Sequence, residues 1–553
     1  MSTSNYQDEL KKVKLTHSAQ QLDESVETSN NNKSNIEKIE REKAGKNVTG
    51  KEFVMGASTL TAKEGAEIFN DYTNNKAVGK FSHAEGNITK ALTDYSHAEG
   101  CQTSVTGYNG HSEGYQTTAG GTTSHAEGHQ TTASGTTSHA EGHQTTASGQ
   151  YSHAEGAQTR ATGMGSHTEG QNTTASGNYS HVEGQNTTAS GNYSHAEGYK
   201  TTALGESSHA EGYSTNKQSD VIAITNSTTD DEIITAYTSK NFSLAKGNDS
   251  HVEGKDCLAL GFSSHAEGVQ TRASAIGAHA EGVTTVASGQ GSHAGGTNTK
   301  ASGTNSFAIG SSGTASGDNS FVFGEGGCTA SGNSSIAGGG GSTASGSQSI
   351  AIGAGCRATG NNAIAIGGGC AASGQYSTAI GAGCNATGSY SIAMGTGCEA
   401  SGSSSVAIGN KNKAYGEACY AEGSENVSGI TPTEEDPTPT QPECAHTEGK
   451  GNIASGNCSH AEGSGTVASS ANQHVQGKYN TEDTASKYAF IIGNGTSDAR
   501  SNAFAIDWNG LIYVNNASTG VNVATLASTI STMSDTIASL EARIAALEGN
   551  NAG

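Results

Sequence analysis

The stretch from Ser124 to Gly149 reads SHAEGHQTTASGTTSHAEGHQTTASG and sets a serine, a histidine and a glutamate within four residues, twice, fourteen residues apart. Serine with histidine is the pairing of a hydrolase nucleophile and its base, and histidine with glutamate is a donor set for a divalent metal. The trio keeps returning: its histidine falls at positions 83, 97, 111, 125, 139, 153, 167, 181, 195 and 209 without a break. A catalytic centre is assembled once per chain, so a trio repeated at a fixed period points to architecture.

Adjacent side chains of a strand point to opposite faces, so Ser82 and His83 cannot share the hydrogen bond that a nucleophile requires of its base. No catalytic residue is assigned. His83 and Glu85 share a face, with His97 and Glu99 one repeat further on, and these four would be the ligands if three-fold packing gathered imidazoles around a metal. The preferred reading is a structural ladder with no metal and no cofactor. It comprises His125, Glu127, His139, Glu141, His153 and Glu155, with Phe307, Ile309, Ile350 and Ile352 in the same two slots of later repeats. Because the slots accept apolar residues, the face is expected to be at least half buried. Its glutamates are expected to accept hydrogen bonds from the imidazoles, and their charge to favour imidazolium. Joint protonation of the stack should then loosen the His-rich part before the Ile-rich part.

The register resumes at His251 and runs through His265, His279 and His293 to Phe307 and Phe321. After a one-residue slip it continues from Ile336 to Tyr420, and after an insertion it closes with His446, His460 and His474, about twenty-six units in all. Each unit holds two strand-like segments, SHAEG or SIAIG and then TTASG or CRATG, each ending at a glycine able to supply a turn with positive φ. Two strands and two turns per fourteen residues predict an all-β chain, a coiled parallel β-solenoid. Coils stacked at the strand spacing of about 4.8 Å would span roughly 125 Å.

Composition agrees. With 78 glycines among 553 residues, 32 % hydrophobic residues and one tryptophan, a single large core is excluded. A net charge of -23 and the lack of any Lys/Arg cluster argue against nucleic acid as a partner. No stretch is long and apolar enough for membrane insertion, and MSTSNYQDELKKVKLTHSAQ lacks the apolar run of a secretory signal. Of ten cysteines, Cys356, Cys370, Cys384 and Cys398 are fourteen apart and share the face of Ala358. They are expected to be buried free thiols acting as small hydrophobes, in keeping with assembly in a reducing cytoplasm.

Two insertions interrupt the period. Residues 213–248 contain VIAITNSTTDDEIITAY, read as a projecting hairpin, and residues 424–445 hold all four prolines, read as an exposed loop. Tyr237 in the first and Glu434, Glu435 and Asp436 in the second are the candidates for receptor contact. Near the end, FAIDWNGLIYV places Asn509-Gly510 between two β-rich runs, a hairpin signal. Leu526, Ile530, Met533, Ile537, Leu540, Ile544 and Leu547 then alternate in steps of four and three, a coiled-coil heptad pattern. RIAALE, with Arg543, Ile544, Leu547 and Glu548, resembles a short trimerisation motif of coiled coils. The expected organisation is a polar N-terminal attachment segment at 1–55, an entry cap at 56–81 and a β-roll shaft at 82–480. A hairpin connector at 481–518 and a trimeric coiled coil at 519–553 complete it.

The later repeats, SFAIG at 306–310, SIAIG at 349–353, STAIG at 377–381, SIAMG at 391–395 and SVAIG at 405–409, resemble the head repeat of YadA-like trimeric adhesins. The resemblance covers roughly residues 80–480. It implies a left-handed parallel β-roll in which three chains pack side by side and share a core. LTHSAQQLDESVE at 15–27, GAEIFNDYTNNKAVGKFSHAEG at 65–86 and IIGNGTSDARSNAFAIDWNG at 491–510 resemble segments of bacteriophage and prophage tail and fibre proteins. The resulting expectation is a homotrimeric virion fibre, such as a phage tail fibre, assembled in the host cytoplasm. It would dock to other virion structural proteins through its N-terminal segment and attach to a host cell-surface receptor, a glycan or surface protein. A cell-surface trimeric adhesin and a capsid-attached head fibre are the alternatives. A polysaccharide-cleaving tailspike needs paired carboxylates at fixed separation, which periodic glutamates do not supply, so no enzyme is expected.

Overall fold

The computed structural model describes residues 75–224, 228–515 and 522–550, with three short strands at Phe53–Met55, Ser58–Leu60 and Glu67–Phe69. Most of the attachment segment expected at 1–55 lies outside the described residues. Two compact units, Met1–Leu258 and Ala259–Gly553, are both β-solenoid built on one fourteen-residue coil.

In the first unit, each coil supplies two strands: two of two residues each between His153 and Ala203, and a longer and a shorter one between His83 and Ala147, for example His125–His129 and Thr132–Ala133. The longer one pairs in parallel with His139–His143, setting His125 against His139 and Glu127 against Glu141, and the shorter one pairs with Thr146–Ala147. Alternation along the strands then sorts the residues. Ser124, Ala126, Thr131 and Ala133 point inward and are buried, while His125 and Glu127 point outward. Two strands of one coil leave space between them only for small side chains, which is why alanine, serine and threonine fill the interior. The serine that precedes each histidine is used locally: Ser138 Oγ donates to the Gly135 carbonyl at 2.7 Å, as Ser152 does to Gly149.

The expected turn chemistry is right for one glycine of the repeat and wrong for the other. Gly128 and Gly142 adopt φ of 106° and 105°. Gly121 and Gly135 do not need positive φ; a Cβ on either would lie 1.8 or 1.9 Å from the carbonyl oxygen of the glycine one coil on, so they permit close stacking. The left-handed corners fall instead on other residues, among them Thr123, Gln130, Thr137, Gln144 and Tyr151, with φ between 56° and 59°. At one corner the amides form a ladder: Gln116 donates to Gln102 at 2.6 Å, and Gln130 to Gln116 and Gln144 to Gln130 at 2.8 Å.

The coil register begins before His83. Glu67–Phe69 already pairs in parallel with the strand that starts at His83, placing Glu67 against it across sixteen residues. The insertion read as a hairpin is helical. A single turn, α1 (Gln218–Val221), precedes α2 (Asp230–Ser239). α2 is set by a capping box: Thr229 Oγ1 accepts from the Glu232 amide, the Glu232 carboxylate accepts from the Thr229 amide, and Asp230 and Asp231 sit in the first turn. Ile233 and Tyr237, one turn apart, are buried together with Phe242. The coil resumes at Leu244–Ala245, which pairs with Thr202–Ala203. Alternating isoleucine and threonine mimicked a strand; the cap and the Ile233/Tyr237 spacing decide for the helix.

In the second unit Phe307 stands against His293, and Phe321 against Ile336, with Gly326 and Gly327, both at φ 74°, taking up the extra residue between them. Cys356, Cys370, Cys384 and Cys398 are buried, and each thiol lies 3.2 or 3.3 Å from a glycine carbonyl of the next coil. Burial pushes the Cys356 and Cys384 thiols above their ordinary range. The second insertion is narrower than residues 424–445. Val427–Ser428 still pairs with Ile453–Ala454, and the excursion is clamped at its base by Gln441, whose side chain bonds both the amide and the carbonyl of Ile430. Past the last histidine, Tyr488–Asn494 stacks in parallel on His474–Lys478, then pairs antiparallel with Asn502–Asp507, which in turn pairs with Ile512–Val514 around Asn509-Gly510. The connector is therefore three-stranded and covers the end of the outward ladder. α3 (Val523–Asn550) follows.

Candidate functional site

The outward side of the longer strand is the candidate site. In the first unit the imidazoles stack face to face: His111 on His125, His125 on His139 and His139 on His153 have centroids 4.7 Å apart and planes within 8°. Only the first pair, His83 with His97, meets edge-on. Most of these histidines also face the glutamate two residues on: 3.5 Å for His83–Glu85, 3.8 Å for His97–Glu99 and His125–Glu127, and 3.6 Å for His139–Glu141 and His153–Glu155. These gaps exceed a charge-assisted hydrogen bond of about 2.7–2.9 Å, so the expectation of imidazole-to-carboxylate hydrogen bonds within a coil is corrected. Residues two apart on a strand are separated by about 6.6 Å, and the side chains close only part of that distance. A bond across coils does occur in the second unit, where His293 Nε2 and Glu281 Oε1 are 3.3 Å apart and the ring is tilted 47° from that of His279.

The expected charge state is also corrected. His125, His139 and His153 are held below the ordinary imidazole range, first by burial and then by the neighbouring imidazoles; the carboxylates pull upward and do not prevail. At neutral pH this favours the neutral ring at His125, His139 and His153. Glu169, Glu183, Glu197 and Glu211 line a shallow groove of about 550 Å³ floored by Gly184, Gly198 and Gly212.

A serine-hydrolase arrangement is not assembled on this face. Ser138 Oγ lies inside the coil on the Gly135 carbonyl, while His139 faces out. In the second unit the same two slots carry Phe307, Ile309, Ile350 and Ile352, all partly exposed along one chain. On α3, Leu526, Ile530, Met533, Ile537, Leu540, Ile544 and Leu547 are exposed as a continuous apolar stripe, with Arg543 and Glu548 beside it.

The receptor candidates separate. Tyr237 is buried and its hydroxyl donates to the Asp256 carbonyl at 2.6 Å, so it is withdrawn as a contact residue and assigned to docking α2 on its coil. Glu434, Glu435 and Asp436 are exposed on the proline-rich loop. Sequence reasoning missed a set of exposed aromatics at a left-handed corner: Tyr179 stacks on Tyr193 at 5.5 Å and Tyr376 on Tyr390 at 5.0 Å. The signal was present, since each of these tyrosines stands two residues before a ladder position, His181, His195, Thr378 or Ile392.

The family described as the YadA head domain repeat (two copies) matches residues 126–152, 169–194, 301–325, 330–355, 372–397 and 400–418. The chain thus carries YadA-like head repeats, in both the His-rich and the Ile-rich parts. No curated protein matches it. Among the described residues no helix is long and apolar enough to cross a membrane.

Proposed function

We propose that three copies of this chain pack side by side through the outward ladder to form an adhesin-like fibre, and that the fibre is a virion appendage attaching to a host surface. The observation that carries the reading is the apolar run from Phe307 through Ile350 and Ile352, which stays partly exposed on one chain in the same two slots that hold His and Glu in the His-rich repeats. A second copy in the same register covers it; so does a third. The unpartnered stripe of α3 supports the same stoichiometry, because the RIAALE segment favours three helices over the two that Ile and Leu seams otherwise give. Attachment then falls to what the trimer leaves outside. These are the stacked tyrosines and the loop bearing Glu434, Glu435 and Asp436, each offering shallow contacts multiplied by three-fold copies. The virion role rests on the resemblance of the flanking segments to phage fibre proteins.

Electron microscopy with an antibody against this chain, on particles and cells of the source culture, tests the setting. Label at tail tips is the expected result. Label over capsids would make it a head fibre, and label confined to cell envelopes would overturn the virion reading in favour of a cell-surface adhesin.

A further inference from the structure

The ladder has a feature that neither coil stacking nor adhesion uses. Nε2 of His125, His139 and His153 is shut off from solvent and has no hydrogen-bond partner, yet a carboxylate oxygen stands 3.6–3.8 Å away. A buried ring nitrogen denied both water and a donor or acceptor is costly, and a cost repeated at each ladder histidine from His97 to His209 calls for an occupant. The distance indicates which. Two ligands on one tetrahedral zinc, at 2.0–2.1 Å for nitrogen and 2.0–2.2 Å for oxygen, lie about 3.3–3.5 Å apart, whereas a charge-assisted hydrogen bond would bring them to about 2.7–2.9 Å. The observed gap is within a few tenths of an ångström of the first and close to a full ångström from the second. The donor atoms of His125, Glu127 and His139 all lie within 4.8 Å of one another, as do those of His139, Glu141 and His153.

We propose that the outward His–Glu pairs of the first unit bind divalent ions of the zinc class, each ion taking Nε2 of one histidine and a carboxylate oxygen of the glutamate two residues on. Imidazole with carboxylate suits zinc and its first-row neighbours over magnesium or calcium, which prefer all-oxygen shells. Parallel rings 4.7 Å apart aim their nitrogens side by side, so one ion does not take two stacked histidines without a tilt such as that between His279 and His293. The sites are therefore one per coil, forming a column. The inference needs only one chain; a neighbouring copy would add ligands.

The test is equilibrium binding of zinc chloride to the full chain after chelator treatment, with magnesium chloride as comparison and bound metal read by mass spectrometry of the elements. Zinc retained well above magnesium is expected, together with a higher unfolding temperature that a chelator reverses. Replacing Glu99, Glu113, Glu127, Glu141 and Glu155 by Gln should lower bound zinc in proportion to the pairs removed. The H129Q/H143Q variant, altered in a separate exposed stack without glutamate partners, should keep it. Zinc retention no higher than magnesium, no thermal shift in the unaltered chain, or equal loss in the control would each overturn the proposal. Oligomeric state measured on the same samples keeps the two readings apart: zinc bound by a chain that does not form trimers sinks the trimer and leaves the metal column standing.

Discussion

Substituting Gly135 with Ala should break the solenoid locally, and Gly120 with Ala should not. The two glycines stand one coil apart and one position out of step. A Cβ on Gly120 meets nothing closer than 3.6 Å, an ordinary contact, whereas a Cβ on Gly135 lies 1.9 Å from the Gly149 carbonyl oxygen and 2.5 Å from its carbon. Real Cβ atoms do not approach within 3.0 Å, so the coils must part by about 1 Å. Two bonds cross that gap, Ser134 N to Ala147 O at 2.8 Å and Gly135 N to Ala147 O at 3.2 Å. Lengthened by about 1 Å both fail. Each is worth roughly 0.5–1.5 kcal/mol net, and leaving its groups unpaired and buried raises the cost, giving about 2–5 kcal/mol for G135A. G120A should stay within about 1 kcal/mol of the unaltered chain, aided by a less flexible unfolded state. Guanidinium unfolding measures the difference, and limited proteolysis should show new cleavage near 135–149, because each coil is stabilised only by its neighbours. If both variants unfold together, within about 0.5 kcal/mol, the close-stacking role of this glycine is wrong.

Four further outcomes are expected. In chelated protein, acidification should loosen the His-rich coils before those from Ile336 to Val406: burial holds the ladder imidazoles of the fold below their ordinary range near 6.5, so the unfolded chain takes up protons first and stability falls as pH drops below that value. Proteolysis at about pH 7.5 and about pH 5 should show cleavage shifting toward the His-rich coils, against the pull of Glu127, Glu141 and Glu155. Native thiol labelling should modify the exposed Cys444 and Cys458 promptly and spare Cys356, Cys370, Cys384 and Cys398 until the chain unfolds, as peptide mapping would show. Ile233→Ala should cost α2 about 2–5 kcal/mol of its docking, seen as protease cleavage within 217–242 while the coils persist. Ile537→Asp should convert trimers to smaller species on sedimentation, since an aspartate in the seam costs at least about 2 kcal/mol.

Much of the fold was legible because the period was. A fourteen-residue return of His83, His97 and His111 fixes coil length whatever the side chains are, and alternation along SHAEG separates Ser82 from His83 without any coordinates. The direction of the faces was not legible. Ile350 and His139 share a slot, and hydropathy alone does not tell an interior from a surface that a second copy covers; only the inward Ala140 and Ser138, small enough to sit between two strands, settle it. Turn chemistry misled for a related reason. Gly135 looks like a turn residue, yet its requirement comes from the coil above it, a contact invisible in a local window, while Thr137 and Gln144 take the left-handed corners. The insertion was misread because Ile233, Ile234 and Thr235 are β-formers, and the capping signal of Thr229 with Glu232 was passed over. Tyr237 followed that error, read as part of a projecting hairpin and found buried on the inner face of α2.

The claim on which the rest stands is that copies of this chain cover the outward ladder. Hydroxyl-radical footprinting of the native protein, read by mass spectrometry, reports it residue by residue. Phe307, Phe321 and Ile350 should be protected, while Tyr376 and Tyr390, 45 % and 58 % exposed at a left-handed corner, are oxidised readily. Oxidation of Phe307 and Phe321 at the rate of those tyrosines, scaled for intrinsic reactivity, would show the face open to water and contradict side-by-side packing.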